Sequence, residues 1–357
     1  MSGDYIQDAA RRLFANEAGK SLIEAVEHGE FPSALWRQAN ELGFTRLFAP
    51  EAVGGIEADW NDAYPVLHNL GYYQAPIPLA ETAIAHLLVA AAGRQLDTEA
   101  PVAVVSAQDG QVVFDASQTR INARLQDVKW ARVSSHVLIG LPGGECAVVA
   151  LDAEGVQIAM GKDVSGMPAD TLSLDGVVVL ERFANPFPDL SDPVKVLGAG
   201  ARAMMMVGAL EFALDTSVQY AKDRIQFGKP IGKNQAIQQQ LAFMAGEFAT
   251  ARAAAVMAAS DMPSLSRMAS PSAEFSVAAA KISAAEAVGN GTSIAHQVHG
   301  AIGFTYEHPL NFATRRLWAW RGDFGNAAWW ARALGRAYVR QGGAAFWANL
   351  TDRRLPA

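Results

Sequence analysis

Between residues 101 and 186 the sequence changes texture, and that change limits the fold more than any other feature. Six short runs, VAVVSA, QVVFDA, SSHVLIGL, CAVVAL, GVQIAM and SLDGVVVL, are rich in β-branched residues and are spaced by Gly, Asp and Pro. Such runs predict strands of a small antiparallel β domain, not alternating βαβ units. On both sides of it the apolar residues move to three- and four-residue spacings. DYIQDAARRLF, SALWRQANELGF and LAETAIAHLLVAAAG predict helices before it. After it, QAIQQQLAFMAGEF (235–248) places Ile237, Leu241, Met244 and Phe248 on one stripe, and 272–298 and 327–350 follow the same pattern. The expectation is an α+β chain with an N-terminal helical domain (1–100), a middle β domain (101–186) and a C-terminal helical bundle (187–357). The apolar helices at 194–222 and 272–290 are expected to lie between neighbours or at a subunit interface, and 260–273 is expected to be a flexible loop.

A chain of 357 residues that is 50% hydrophobic can bury the cores such an arrangement needs. No run of eighteen apolar residues occurs, and MSGDYIQDAARRLF has acids where a signal peptide has an apolar stretch. The sequence therefore reads as cytoplasmic, without a membrane span. A single cysteine, Cys146, excludes an internal disulfide and a cysteine-cluster metal site. A formal charge of −7 gives no general attraction for nucleic acid. Arg315, Arg316, Arg321, Arg332, Arg336 and Arg340 read mainly as solvated helix-face charges.

Four stretches carry possible chemistry. GAGARA (198–203) has the spacing of a dinucleotide turn, but no second strand and no ribose-binding acid follow, so close helix packing explains it better. In YAKDRIQFGKPIG (220–232), Arg224 ends a helix, where a cation suits the dipole and where its forked donor also suits a phosphate. In HQVHGAIGFTYEHP (296–309), His296, His299 and His308 lack a metal-ligand spacing, and no metal site is expected. In RGDFGNAAWW (321–330), Asp323 has three readings: an adhesion triplet, the N-cap of the helix beginning AAWWAR, or a catalytic base on a tight turn.

Together these blocks resemble an acyl-CoA dehydrogenase over essentially the whole chain. ELGF…APEAVGG, then YAKDRIQFGKPI…QAIQQQLAFM, then QVHGAIGF…Arg315 follow the family's order and spacing. The resemblance implies an α domain, a small β domain and a four-helix bundle. It also implies a homo- or hetero-tetramer that binds FAD across subunit interfaces, oxidises the Cα–Cβ bond of an acyl-CoA thioester to the 2,3-enoyl-CoA, and passes electrons to an electron-transfer flavoprotein or similar acceptor. By that resemblance Arg224, Gln226 and Phe227 contact the diphosphate and adenosine side of FAD. Gln297 and the pair Gly300–Ala301 form the segment a neighbouring subunit lays along the cofactor, and Trp130 lies against the flavin ring.

The departures from the family are informative. The TEPxxGSD-type loop is missing, and Ala301 replaces a glycine. The family's glutamate base sits at one of two places, which here align with Gly198 and Phe324. Neither is an acid, although Asp323 lies beside the second. Aspartate is shorter by one methylene, about 1.5 Å, so the turn would have to move the backbone to compensate.

Three functions follow from the resemblance: a dehydrogenase of fatty acid or steroid side-chain breakdown with Asp323 as base, the non-catalytic partner that completes the FAD pocket of an α2β2 assembly, or a flavin monooxygenase. Trp318, Trp320, Trp329 and Trp330 either line a wide apolar pocket or belong to the bundle core.

Overall fold

The computed structural model describes residues 3–108, 110–226, 228–342 and 346–353. Five helices come first: α1 (Gly3–Glu17), α2 (Lys20–Glu27), α3 (Ser33–Glu41), α4 (Trp60–Tyr72) and α5 (Leu79–Ala91). Eight strands follow: β1 (Val102–Ser106), β2 (Val112–Phe114), β3 (Arg120–Lys129), β4 (His136–Gly140), β5 (Cys146–Ala150), β6 (Val156–Ala159), β7 (Ala169–Val178) and β8 (Glu181–Phe183). The chain then returns to helices: α6 (Pro193–Asp223), a two-strand turn of β9 (Ile225–Gln226) and β10 (Lys229–Pro230), α7 (Gln235–Asp261), α8 (Ala273–His299), α9 (Leu310–Gly322), α10 (Ala327–Gln341) and α11 (Phe346–Thr351).

The strands form two four-stranded sheets, β1-β4-β5-β8 and β2-β3-β7-β6. All pairs are antiparallel except β1 with β4, which run parallel in the register Val102–His136 to Ser106–Gly140. The first sheet is buried on both faces. Ala103, Val137, Ile139, Ala147 and Val149 face the second sheet, while Val102, Val104, Leu138, Cys146 and Val148 join the helical core. A strand covered on both sides has no polar face, which is why these segments read as continuous apolar runs.

The 31-residue α6 is the central post. Asp192 caps it by accepting from Lys195 N at 2.9 Å, and Pro193 occupies the first turn, where its missing N–H costs nothing. It packs against α4, α7, α8 and α9 and is buried from Val196 to Leu210, so its apolar circumference serves the interior of this chain. Its approach to α4 is backbone on backbone: a Cβ on Gly71 would sit 1.9 Å from Met205 O, and one on Gly208 1.9 Å from His68 O. Small residues for close packing thus account for the glycines around 198–208. By length and composition α6 and α7 are apolar enough to cross a bilayer, but 89% of that stretch of α6 is buried inside the protein.

Candidate functional site

The turn between α9 and α10 resolves the readings of Asp323. The Asp323 amide closes α9 by donating to Trp320 O at 3.2 Å. Phe324 (φ +53°) and Gly325 (φ +96°) then reverse the chain, and Asn326 caps α10 by accepting from Trp329 N at 2.9 Å. The cap expected at Asp323 therefore belongs to Asn326. Asp323 is only 6% exposed, so it presents no adhesion triplet either.

Its carboxylate faces inward onto two cations. Oδ2 accepts from Arg202 Nε at 2.9 Å, and Oδ1 lies 3.4 Å from Lys129 Nζ. Arg202 also grips Glu81, and Lys129 reaches Asp127 at 2.7 Å and Asp163 at 3.4 Å. The result is a chain of alternating charges from α5 through α6 and the turn to β3, crossing all three regions of the fold. Burial by itself would push the Asp323 carboxyl up, but Arg202 and then Lys129 outweigh it and hold it below the usual carboxylate range. Lys281, fully buried on α8, donates from Nζ to Trp320 O at 2.6 Å and Arg321 O at 3.3 Å, closing the carbonyl end of α9. Burial is the main force that pulls its ammonium down to about 7. A carboxylate held between two cations with a depressed pKa is a weak proton acceptor. The geometry thus speaks against the expectation of Asp323 as a free base: its oxygens already serve the ion pairs.

The two family positions for the base meet in space. A Cβ placed on Gly198 would lie 2.5 Å from Phe324 Cδ1, so the missing side chain of one position is what makes room for the ring of the other. Arg202 lies 5.5 Å from the same ring, and Trp330 Nε1 donates to Phe324 O at 3.2 Å. Between β1, β3 and this turn a cavity of about 230 Å³ remains, lined by Val104, Ser106, Lys129, Lys195, Asp323 and Phe324. It falls below the roughly 300–1,000 Å³ of ordinary ligand pockets.

The expected cofactor residues lie elsewhere, at one end of the bundle. Arg224 caps α6, exposed, and its guanidinium makes no ion pair or hydrogen bond among the described residues. Gln226 on β9 and Gln297 near the end of α8 are also exposed. A Cβ placed on Gly300, at φ +64°, would meet nothing within 4 Å, and with Gln297, Ala301, Ser293, Phe304 and Trp318 this glycine lines an open groove. The Tyr220 ring stacks on His299 at 4.5 Å, which joins the end of α6 to the end of α8. Phe227 lies outside the described residues. Trp130 does not share this surface: it is buried with Ile23, Val26, Met167 and Phe312. This chain's own side chains cover its ring and leave no face for a flavin, so the expected flavin contact is not supported.

Several charged groups of the interior are not legible in the sequence. Arg316 reads there as a solvated-face charge, yet it is buried on α9 with Nε and Nη2 unpartnered among the described residues. Chiefly by burial its pKa drops to about 10. Glu81 and Arg202 carry no motif, although each is a lone charge on a helix segment of otherwise apolar residues. That is the signal that could have found them, because a charge buried alone is costly enough to demand a partner. His299 and His308 form a ring cluster with Tyr220, and His296 stacks on Phe304 at 4.0 Å. Among the described residues no group of three ligand-type side chains could hold a metal ion.

Two family models match the chain: Acyl-CoA dehydrogenase, N-terminal domain, over residues 3–96, and Acyl-CoA dehydrogenase, C-terminal domain, over residues 197–321. The chain is 27% identical to acyl-CoA dehydrogenase IpdE2 of Mycobacterium tuberculosis over 322 residues, covering 87% of this chain and 89% of that protein. It is 28% identical to acyl-CoA dehydrogenase FadE34 of the same organism over 95% of this chain, but it spans only 48% of that longer protein. Among solved structures, the ChsE4-ChsE5 complex of Mycobacterium tuberculosis shares the fold at TM-score 0.82 and 22% identity, covering 96% of this chain and 98% of that one.

Proposed function

The chain belongs to the acyl-CoA dehydrogenase family of oxidoreductases, and from that premise we propose that it is the non-catalytic, FAD-pocket-completing subunit of a cytoplasmic α2β2 acyl-CoA dehydrogenase. The observation that carries this reading is the Gly198–Phe324 contact. Both places where the resemblance puts a base are joined into one hydrophobic plug, and the neighbouring acid is held by Arg202 and Lys129. On this reading a longer relative supplies the base. The ChsE4-ChsE5 structure, a complex of two differently named chains, supports it.

The residues at the bundle end fit an FAD. Arg224 offers an unpaired fork for a diphosphate, Gln226 and Gln297 offer amides, and Gly300 leaves its backbone open to close approach. Bound FAD supplies the acceptor for the hydride leaving the acyl β-carbon. In the proposed division of labour this chain's Arg224 neutralises the cofactor's phosphates, and its groove around Gln297, Gly300 and Ala301 lays a second wall along the cofactor. Its Phe324 fills the place of the base, and the Glu81–Arg202–Asp323–Lys129 ion chain holds the neighbouring acid in ion pairs. The partner would position the thioester and take the α-proton, and an electron-transfer flavoprotein or similar acceptor would be the destination of the electrons.

The test is an anaerobic absorption titration with short, long and steroid-type acyl-CoA thioesters. The chain purified alone should be colourless, or yellow without bleaching. Co-purified with a glutamate-bearing relative it should bleach, and Arg224→Ala in that complex should lower the flavin content. Bleaching by the chain alone would overturn the proposal.

A further inference from the structure

A second cavity, of about 350 Å³, lies in the N-terminal region and shares no lining residue with the groove at the bundle end. It is enclosed by α5, the turn around residues 49–53 and the segment 93–97. Its apolar wall includes Val53, Val89 and Leu96, and its polar wall includes Arg46 and His86. His86 is only 5% exposed and makes no hydrogen bond among the described residues. The imidazole lines the cavity, so a group that fills the cavity is the partner its ring can meet. Burial, with Arg46 adding to it, lowers its pKa to about 4, so at neutral pH the ring is uncharged and keeps one N–H to donate.

Arg46 faces the same space. Its Nη2 donates to Thr98 O at 2.9 Å, which fixes the guanidinium. No carboxylate lies within ion-pair distance of it among the described residues. Arg94, at the rim, is already paired with Glu181, and Asp97 adds a negative charge to the lining. Arg46 is thus the one unpaired cation of this lining among the described residues, and beside Asp97 it suits a single negative charge better than a dianion.

We propose that this cavity binds a small monocarboxylate, its oxygens taken by Arg46 and the His86 N–H and its apolar tail lying against Val53, Val89 and Leu96. A guanidinium fork matches a carboxylate bidentately, and the volume falls within the range of ordinary ligand pockets. The site is independent of the cofactor groove and of the subunit role proposed above.

The experiment uses the full chain as purified, with its histidines carbon-13 labelled at the ring and the His86 signal assigned from His86→Gln. Hexanoate is titrated by NMR and by calorimetry, with hexylammonium and inorganic phosphate as comparison probes. Saturable hexanoate binding should raise the His86 pKa by about one unit or more, since a bound carboxylate favours the imidazolium. Hexylammonium should leave the signal unmoved, and phosphate should bind at least tenfold more weakly. Arg46→Met should weaken hexanoate at least tenfold. Val53→Asp, which leaves the Arg46–Thr98 bond intact, should do the same by placing a like charge beside the tail. No saturable shift, unchanged affinity in Val53→Asp, or phosphate binding as tight as hexanoate would each overturn the proposal.

Discussion

Asp323→Asn tests the central reading, because it removes the charge while keeping the shape of the side chain. In the structure the Asp323 carboxylate is 2.9 Å from Arg202 Nε and 3.4 Å from Lys129 Nζ, with all three groups buried. Removing one member of a buried ion pair costs about 3–5 kcal/mol. Here both cations keep another acid, Arg202 with Glu81 and Lys129 with Asp127 and Asp163, so the lower end, about 3 kcal/mol, is expected. That is roughly a hundredfold rise in the unfolding constant, read by urea titration of circular dichroism and tryptophan fluorescence. The pH dependence has a fixed sign. The Asp323 pKa is depressed in the folded state, so its contribution is fully present above the unfolded value of about 3.9 and is lost as pH falls through the folded value. The gap between wild type and variant should therefore be flat from pH 7 to about 4 and close below it. In the proposed complex with a glutamate-bearing relative, the variant that remains folded should still support acyl-CoA-driven flavin reduction. A variant of wild-type stability that has lost flavin reduction would refute the reasoning and restore Asp323 as the base.

Two further perturbations probe the same interior. Gly198→Ala brings a Cβ to 2.5 Å from Phe324 and should cost about 1–3 kcal/mol by overpacking. Adding Phe324→Ala should recover part of that loss, whereas strictly additive losses in urea unfolding would show that the two sites do not touch. Lys281→Met replaces a buried lysine whose pKa is lowered to about 7, chiefly by burial. A depressed folded pKa makes the wild type most stable above the unfolded value of about 10.4 and progressively less so down to about 7. Its stability relative to the variant should therefore fall between pH 10 and 7 and level off below, and melting curves in which that difference is independent of pH would contradict the assignment.

Much of this protein is legible in local pattern. Helix periodicity, the Asp192-Pro193 start of α6 and the Asn234 cap of α7 are decided by neighbours in sequence. The runs of β1, β4 and β5 are visible because both faces of their sheet are covered. By contrast β3, RINARLQDVK, is hidden in the sequence: only its inward residues, chiefly Ile121, Leu125 and Val128, are buried, and charged residues between them mask the alternation. The exposed residues of the proposed cofactor groove, Arg224, Gln226, Gln297 and Gly300, are also legible, because they sit in distinctive short motifs at loops and helix ends. What only the tertiary structure decided is the state of the interior. No local pattern shows that Gly198 lies under Phe324, that Arg202 joins Glu81 to Asp323, or that Lys129 reaches the same carboxylate. Those contacts link residues on separate elements, and a carboxylate's proton affinity depends on its burial and on the charges around it. The sequence could place an acid on a turn, but only the packing of α5, α6, β3 and α9 around that turn determined which cations it meets.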